Sequence, residues 1–202
     1  NLCLVGSTNL DVLDIHGKQI TMSIKDVVEY MSLGHVYKVK SYDKNSNSIS
    51  WENILAAKNM GMSSSLVEIV TENKEVINCT FDHKIFTKNK GWVEASKILT
   101  TDILLDHNCV ESKVSHISIK MMFAPISVYD IKVENTECFF ANNILVHNCT
   151  EIYLPTNKDR TAVCCLSSLN LEYYDEWKSD PLFIQDVLEM LDNSLQYFID
   201  NA

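Results

Sequence analysis

An asparagine followed by a cysteine can break its own peptide bond, and Val146-His147-Asn148-Cys149 presents such a pair next to a histidine. The Asn148 side-chain amide nitrogen can attack its own backbone carbonyl, close a succinimide and expel Cys149 as a free amine. His147 adjoins that bond, and imidazole is the side-chain type best suited to proton transfer near pH 7, so it can supply a proton to the leaving amine. Cys3, near the other end, offers complementary chemistry. Its thiol, with a free pKa of about 8.5, can attack the Leu2 carbonyl and turn an amide into a thioester. Breaking amide resonance, which sets a rotation barrier of about 18–20 kcal/mol, requires a twisted or polarised bond and a proton donor. Thr80 and His83, in Cys79-Thr80-Phe-Asp-His83, are residue types suited to that work. Asp130, in Val128-Tyr-Asp130-Ile, interrupts an apolar face. Each segment alone has a plain alternative: a terminal cysteine, a structural histidine, a satisfied strand-edge aspartate.

Short strands are the elements expected to position these groups. Tyr37–Tyr42 alternates apolar and polar residues, and Lys44–Asn47 makes a polar turn before Ile49–Trp51. Leu66–Val70 and Val76–Thr80 flank a Glu72-Asn73 turn. Ile85–Thr87 and Trp92–Glu94 flank Lys88–Gly91. Ser127–Glu134 and Ile144–His147 alternate as well, and Asn142-Asn143 forms a tight turn because asparagine tolerates positive φ. Short helices are expected near Ile24–Leu33 and Glu94–Leu99. The pattern predicts an all-β domain of many short strands. After residue 149 the texture changes. Asp180-Pro181 starts a helix, and Ile184, Val187, Leu188, Leu191, Leu195 and Phe198 recur at helical spacing. That stripe has too little to pack against, so this part reads as a fragment of a larger α/β protein.

Composition narrows the partners. The 202 residues are 46% hydrophobic and carry a net charge of −10, which argues against a general binder of nucleic acid or anionic membrane. Residues 149–202 hold ten acidic and three basic side chains, including Arg160, the one arginine in the sequence. This step in charge marks a boundary near residue 149. No apolar run approaches the roughly 20 residues that span a bilayer, and no secretory signal is legible, so a cytoplasmic location is expected. Seven cysteines with irregular spacing and no C-x-x-C pair point to free thiols, with no structural metal site expected.

In their order along the chain, these segments resemble the motifs of inteins, the protein-splicing members of the Hint class. Cys3 with Gly6-Ser-Thr8 matches the N-terminal motif, and Cys79-Thr80-x-x-His83 followed by Gly91-Trp-Val the second. Val128-Tyr-Asp130 through Phe139-Phe-Ala-Asn142 matches the third, and Ile144-Leu-Val-His147-Asn148-Cys149 the last. The resemblance covers Cys3–Asn148, 146 residues. It implies a mainly β, horseshoe-like fold with both splice junctions close together. It also implies catalytic roles for Cys3, Thr80, His83, Asp130, His147, Asn148 and Cys149. Only a short stretch near Asp106–Pro125 occupies the usual place of a homing endonuclease, so the resemblance is to a mini-intein that does not bind DNA. Three positions depart from the family pattern. Glu137 and Cys138 stand where His and Asn are usual, and Asn143 replaces a glycine.

Joining Leu2 to Cys149 creates Asn-Leu-Cys-Thr-Glu-Ile-Tyr-Leu-Pro-Thr. With Thr161–Leu171, this resembles the large subunit of a class I ribonucleotide reductase. The resemblance implies that Cys149 is the radical cysteine, Glu151 a base, Asn1 a hydrogen-bonding partner and Cys164 one of a redox pair. The organisation expected is residues 1–2 as a host remnant, 3–148 as the splicing domain, and 149–202 as a host fragment ending in a helix. Splicing in cis implies no cofactor and no partner. The full host would depend on a radical-generating β subunit and a thiol reductant, and would bind nucleotides. Three other readings remain open at this level: an inserted Hint domain that no longer splices, a cleavage-only Hint domain of the Hedgehog type, and a cysteine hydrolase using Cys3 and His83.

Overall fold

A computed structural model describes residues 3–44, 46–148, 169 and 171–201. The chain divides into two units, residues 1–151 and 152–202.

The first unit is almost entirely β. Strand β1 (Leu4–Val5) precedes a hairpin of β2 (Asn9–Leu13) and β3 (Gln19–Ser23). Asp14 tightens that turn, its Oδ1 accepting the His16 and Lys18 amides at 2.8 and 2.9 Å. Helix α1 (Ile24–Ser32) begins where the Ser23 hydroxyl accepts the Asp26 amide, and it buries Ile24 and Val27. Gly6 lies under the Tyr129 ring; a Cβ there would sit 2.8 Å from a ring carbon, so only glycine permits this approach.

Strands β4 (Lys38–Asp43) and β5 (Ser48–Thr71) form the next hairpin, followed by β6 (Val76–Cys79), β7 (Lys84–Thr87), β8 (Gly91–Glu94) and β9 (Ile103–Leu105). The chain ends this unit with β10 (Glu111–Val133), β11 (Cys138–Ala141) and β12 (Ile144–His147). The expected hairpins form at their expected places. The helix expected near Glu94–Leu99 is a single 3-10 turn at Ala95–Lys97.

Ten of the twelve strands among the described residues are short, as expected, and two are not. β5 and β10 run 24 and 23 residues and pair along most of their length, from Thr71 with Val114 to Ile54 with Val133. Their centres lack clean alternation, because Lys58-Asn-Met-Gly-Met-Ser63 contains no half-buried apolar period. Four register irregularities interrupt the ladder; the widest leaves Met122–Pro125 unpaired with β5. These two strands are the frame to which β1 and β6 attach. Leu4, Leu10, Ile69, Ile77, Phe139 and Ile144 are fully buried in the unit's core.

In the second unit a 3-10 turn (Leu171–Tyr173) leads into α2 (Tyr174–Trp177) and α3 (Phe183–Asn201). Asp180 caps the entry through its Oδ1, which accepts the Leu182 amide at 2.9 Å. The helix therefore starts at Phe183, two residues beyond the expected Pro181. Its apolar stripe is partly covered: Val187, Leu191 and Leu195 are half-buried, whereas Ile184 and Leu188 are 46% and 60% exposed. Among the described residues, no helix is long and apolar enough to cross a membrane.

Candidate active site

The T-x-x-H spacing is a β-turn. The His83 amide donates to the Thr80 carbonyl at 3.2 Å, which sets the first and fourth residues of the motif side by side. Ala95 and Ser96 pin the turn from behind, their amides donating to the carbonyls of His83 and Phe81 at 2.7 and 2.9 Å. His83 is fully buried there, and Thr80 nearly so.

Strand β1 then brings Cys3 to this turn. Leu4 pairs with Cys79 on one side and Tyr129 on the other. One residue further along both registers, Cys3 lies between Thr80 and Asp130. The Cys3 amide donates to Thr80 Oγ1 at 2.9 Å, and the Thr80 amide donates to the Cys3 carbonyl at 2.9 Å. The amide nitrogen that would leave during acyl transfer is therefore held directly by the Thr80 hydroxyl. Asp130 is fully buried on β10, with its Oδ1 accepting the Ile131 amide at 2.8 Å. Cys3 is also fully buried.

The second half of the site comes from the β11–β12 hairpin. Asn142 and Asn143 occupy φ 45° and 66°, so the paired asparagines make the expected turn. Cys138 pairs with His147 and Phe139 with Val146, while Val146 also pairs with Ile85 on β7. This antiparallel register, carried two residues on, sets Asn148 level with His83. Asn148 is almost fully buried, and its amide donates to the Glu137 carbonyl at 3.0 Å. The Nδ1 of His147 lies 2.6 Å from the Asn148 carbonyl oxygen. That oxygen gains negative charge when the carbonyl is attacked, so the imidazole is placed as an oxyanion donor.

The departure at Glu137 has a local explanation. Its side chain is exposed on a backbone of φ 54°, and its backbone carbonyl accepts the Asn148 amide. The ring that orients His147 is Trp92, edge-to-face with centroids 4.9 Å apart. Lys44 places its ammonium 4.8 Å from the centroid of Trp92. Sequence reasoning assigned neither residue a role; Trp92 lies in the Gly91-Trp-Val motif, whereas nothing local marks Lys44. Asn1, Cys149, Glu151 and Cys164 lie outside the described residues.

Burial governs two further thiols. It pushes Cys79 well above the ordinary thiol range, with the Asp82 carboxylate adding to the effect. Cys138 is also raised by burial, which outweighs the opposing hydrogen bond from the Ser41 hydroxyl.

The sequence profile of the pretoxin Hint domain matches residues 24–149. The chain belongs to that family, and its first unit is a Hint domain. Among solved structures, it is similar to a bacterial intein-like domain from Clostridium thermocellum. That match is 25% identical, with a TM-score of 0.61, and covers 73% of this chain and 99% of that one. The fold is shared with the DnaB intein of Synechocystis sp. PCC 6803, at 17% identity and TM-score 0.60, over 73% and 98% of the two chains. It is also shared with the transcription factor IIB Mvu mini-intein, at 17% identity and TM-score 0.63, over 73% and 100%.

A second likeness concerns a different kind of protein. Over 79 residues, covering 35% of this chain and 8% of the relative, the sequence is 58% identical to the ribonucleoside-diphosphate reductase large subunit of Invertebrate iridescent virus 6. Over 54 residues, covering 27% and 9%, it is 59% identical to the corresponding subunit of Invertebrate iridescent virus 3. The chain thus matches less than a tenth of the length of these curated relatives.

Proposed function

We propose that residues 3–148 excise themselves and join Leu2 to Cys149, restoring a loop of a ribonucleotide reductase large subunit. The observation that carries this reading is the paired hold on the two scissile bonds: Thr80 Oγ1 on the Cys3 amide, and His147 Nδ1 on the Asn148 carbonyl.

The Cys3 sulfur attacks the Leu2 carbonyl carbon; the C–N bond breaks and the nitrogen gains the thiol's proton, with His83 as the donor nearest the Thr80 turn. The Cys149 sulfur then takes the acyl group and Cys3 recovers its thiol, with Asp130 accepting a proton in that exchange. Next, the Asn148 amide nitrogen attacks its own carbonyl. His147 stabilises the developing charge, and Cys149 leaves as an amine. That amine finally displaces its own sulfur from the Leu2 acyl carbon, leaving an ordinary peptide bond. Every reacting pair is intramolecular, so the sequence needs no cofactor, energy source or partner. A reducing cytoplasm suits thiols that must remain free.

The host reading rests on the likeness to the viral subunits. The 54-residue match to one of them has the length of Cys149–Ala202. The exposed Ile184 and Leu188 of α3 are apolar positions that a larger host could cover. In the rejoined host, Cys149 becomes the radical cysteine, with Glu151, Asn1 and Cys164 around it. The host would then pair with a radical-generating β subunit and a thiol reductant, and bind nucleotides.

The test is intact mass after expression with longer reductase flanks. Loss of a 146-residue piece with joined flanks establishes splicing, and Cys3→Ala with Asn148→Ala then abolishes it. Separate, unjoined fragments identify a cleavage-only domain. An unchanged precursor under reducing, metal-free conditions identifies an inert insertion.

A further inference from the structure

Away from the Cys3 amide and the Asn148 carbonyl, two turns bring Glu75, Asp106 and His107 together. One ligand atom from each lies within 4.8 Å of the others. Glu75 comes from the β5–β6 turn, where its amide donates to Thr71 Oγ1 at 3.2 Å. Asp106 follows β9 and forms a bridge to Ile144, the first residue of β12. Its Oδ1 accepts the Asn108 and Val110 amides, both at 2.8 Å. That fixes the carboxylate while leaving the second oxygen for another partner.

Two further observations separate this cluster from an ordinary group of surface acids. Glu75 Oε2 and His107 Nδ1 are both buried, and neither has a hydrogen-bond partner. Buried acceptors and ring nitrogens are normally satisfied, because leaving them bare forfeits the hydration they had in water. Among the described residues, no lysine or arginine pairs with Glu75 or Asp106 either. The Asn143 side chain hydrogen-bonds Glu75, but burial and the Asp106 carboxylate outweigh it and push the Glu75 carboxyl up. The place is short of positive charge and has bare ligand atoms facing one another.

We propose that Glu75, Asp106 and His107 bind one divalent cation of the kind that accepts carboxylate and imidazole together. Bonds of about 2.0–2.2 Å place neighbouring ligands roughly 3–4 Å apart, so side-chain rotations of about an ångström close the observed spread. Water completes the coordination. The cation ties the β5–β6 turn and the end of β9 to the Asn143–Ile144 start of β12, the strand that carries His147 and Asn148. Its place is structural, at the foot of that strand, and the site does not depend on whether the domain splices.

The probe is Mn2+, which favours oxygen and imidazole ligands over the thiols of this chain. The full chain carrying Cys3→Ala and Asn148→Ala is titrated, following loss of the free-ion electron paramagnetic resonance signal. Saturable binding of one Mn2+ is expected, with 14N modulation from a single imidazole and a rise in melting temperature. Glu75→Gln and His107→Gln should each weaken binding at least tenfold and remove that rise, and His107→Gln should also remove the 14N modulation. Glu75→Gln without metal should melt no lower than its parent, because it removes a half-buried carboxylate lacking a cation; this separates lost binding from lost folding. Absence of saturable binding, absence of the 14N modulation, or unchanged affinity in either variant would overturn the proposal.

Discussion

His147 Nδ1 sits 2.6 Å from the carbonyl oxygen of Asn148, the group that the Asn148 side chain would attack in the proposed cyclisation. A contact to the oxygen, made before any reaction, means the imidazole donates through Nδ1 and meets charge where it develops. In a Cys3→Ala background, which isolates the C-terminal step, His147→Ala should slow release of Cys149 by roughly 10²- to 10³-fold. His147→Gln keeps a donor and should recover part of that loss. Quantifying cleaved fragments over time checks this, and equal rates for the three proteins would remove His147 from the step.

Thr80 holds the Cys3 amide, the other bond that the proposed splicing would break. Thr80→Val keeps the shape of the side chain but deletes the oxygen that accepts from Cys3 N–H at 2.9 Å. Loss of one buried hydrogen bond should slow thioester formation by about tenfold, whereas Thr80→Ser should stay close to the parent. Thiol-induced cleavage after Leu2 in an Asn148→Ala background reads this step alone.

In the proposed reaction Trp92 would act through His147, whose ring it meets edge-to-face. Trp92→Leu removes an edge-to-face contact worth about 1 kcal/mol, so C-terminal cleavage should fall roughly fivefold while thiol-induced cleavage at Leu2 is unchanged. Trp92→Phe should restore most of the rate. A matching fall in both steps would indicate general loosening of the domain instead.

Stability in acid should turn partly on Asp102. Burial alone would raise its carboxyl, but the Lys90 ammonium and the Leu99 and Asn89 amides outweigh burial and hold it below the usual range. A depressed native value stabilises the fold above the unfolded pKa of about 3.9, and that contribution disappears as pH falls through the native value. Asp102→Asn should cost about 2 kcal/mol at pH 7. The difference from the parent should shrink progressively below about pH 4. Chemical denaturation at several pH values checks both the size and the sign.

The cysteines should differ in their response to alkylation. Cys109 is exposed, while Cys3, Cys79 and Cys138 are buried. Brief iodoacetamide treatment of the folded protein near pH 8 should label Cys109 well before these three. Peptide mapping reads this directly, and early labelling of Cys79 would contradict its burial.

Much of the site could be read from local sequence because local geometry carries it. T-x-x-H is a β-turn in both sequence and structure, and Asn142-Asn143 is a turn because asparagine tolerates positive φ. The hairpins at residues 37–51, 66–80 and 85–94 were legible from alternation between polar turns. The long pairing of β5 with β10 was not, since it joins segments with no clean period across many intervening residues. The Glu75–Asp106–His107 cluster was equally hidden, because its members come from turns that only the fold brings together.

The tripeptide His-Asn-Cys makes the division plain, because it occurs twice, at 107–109 and 147–149. By itself the sequence determined which covalent chemistry was available: a nucleophilic thiol near one end, cyclising asparagines, and histidines beside them. Only the tertiary structure decided which asparagine is placed to use it. Asn108 sits in a tight turn with its amide on Asp106 Oδ1, and the neighbouring His107 Nδ1 meets no partner. Asn148 is buried at the end of β12, with its amide on Glu137 and its carbonyl on His147. Cys3 likewise reaches Thr80 across 77 residues of chain. Reactivity belongs to residue types and can be read along the chain; the alignment that makes it productive depends on registers between distant strands, which only packing sets.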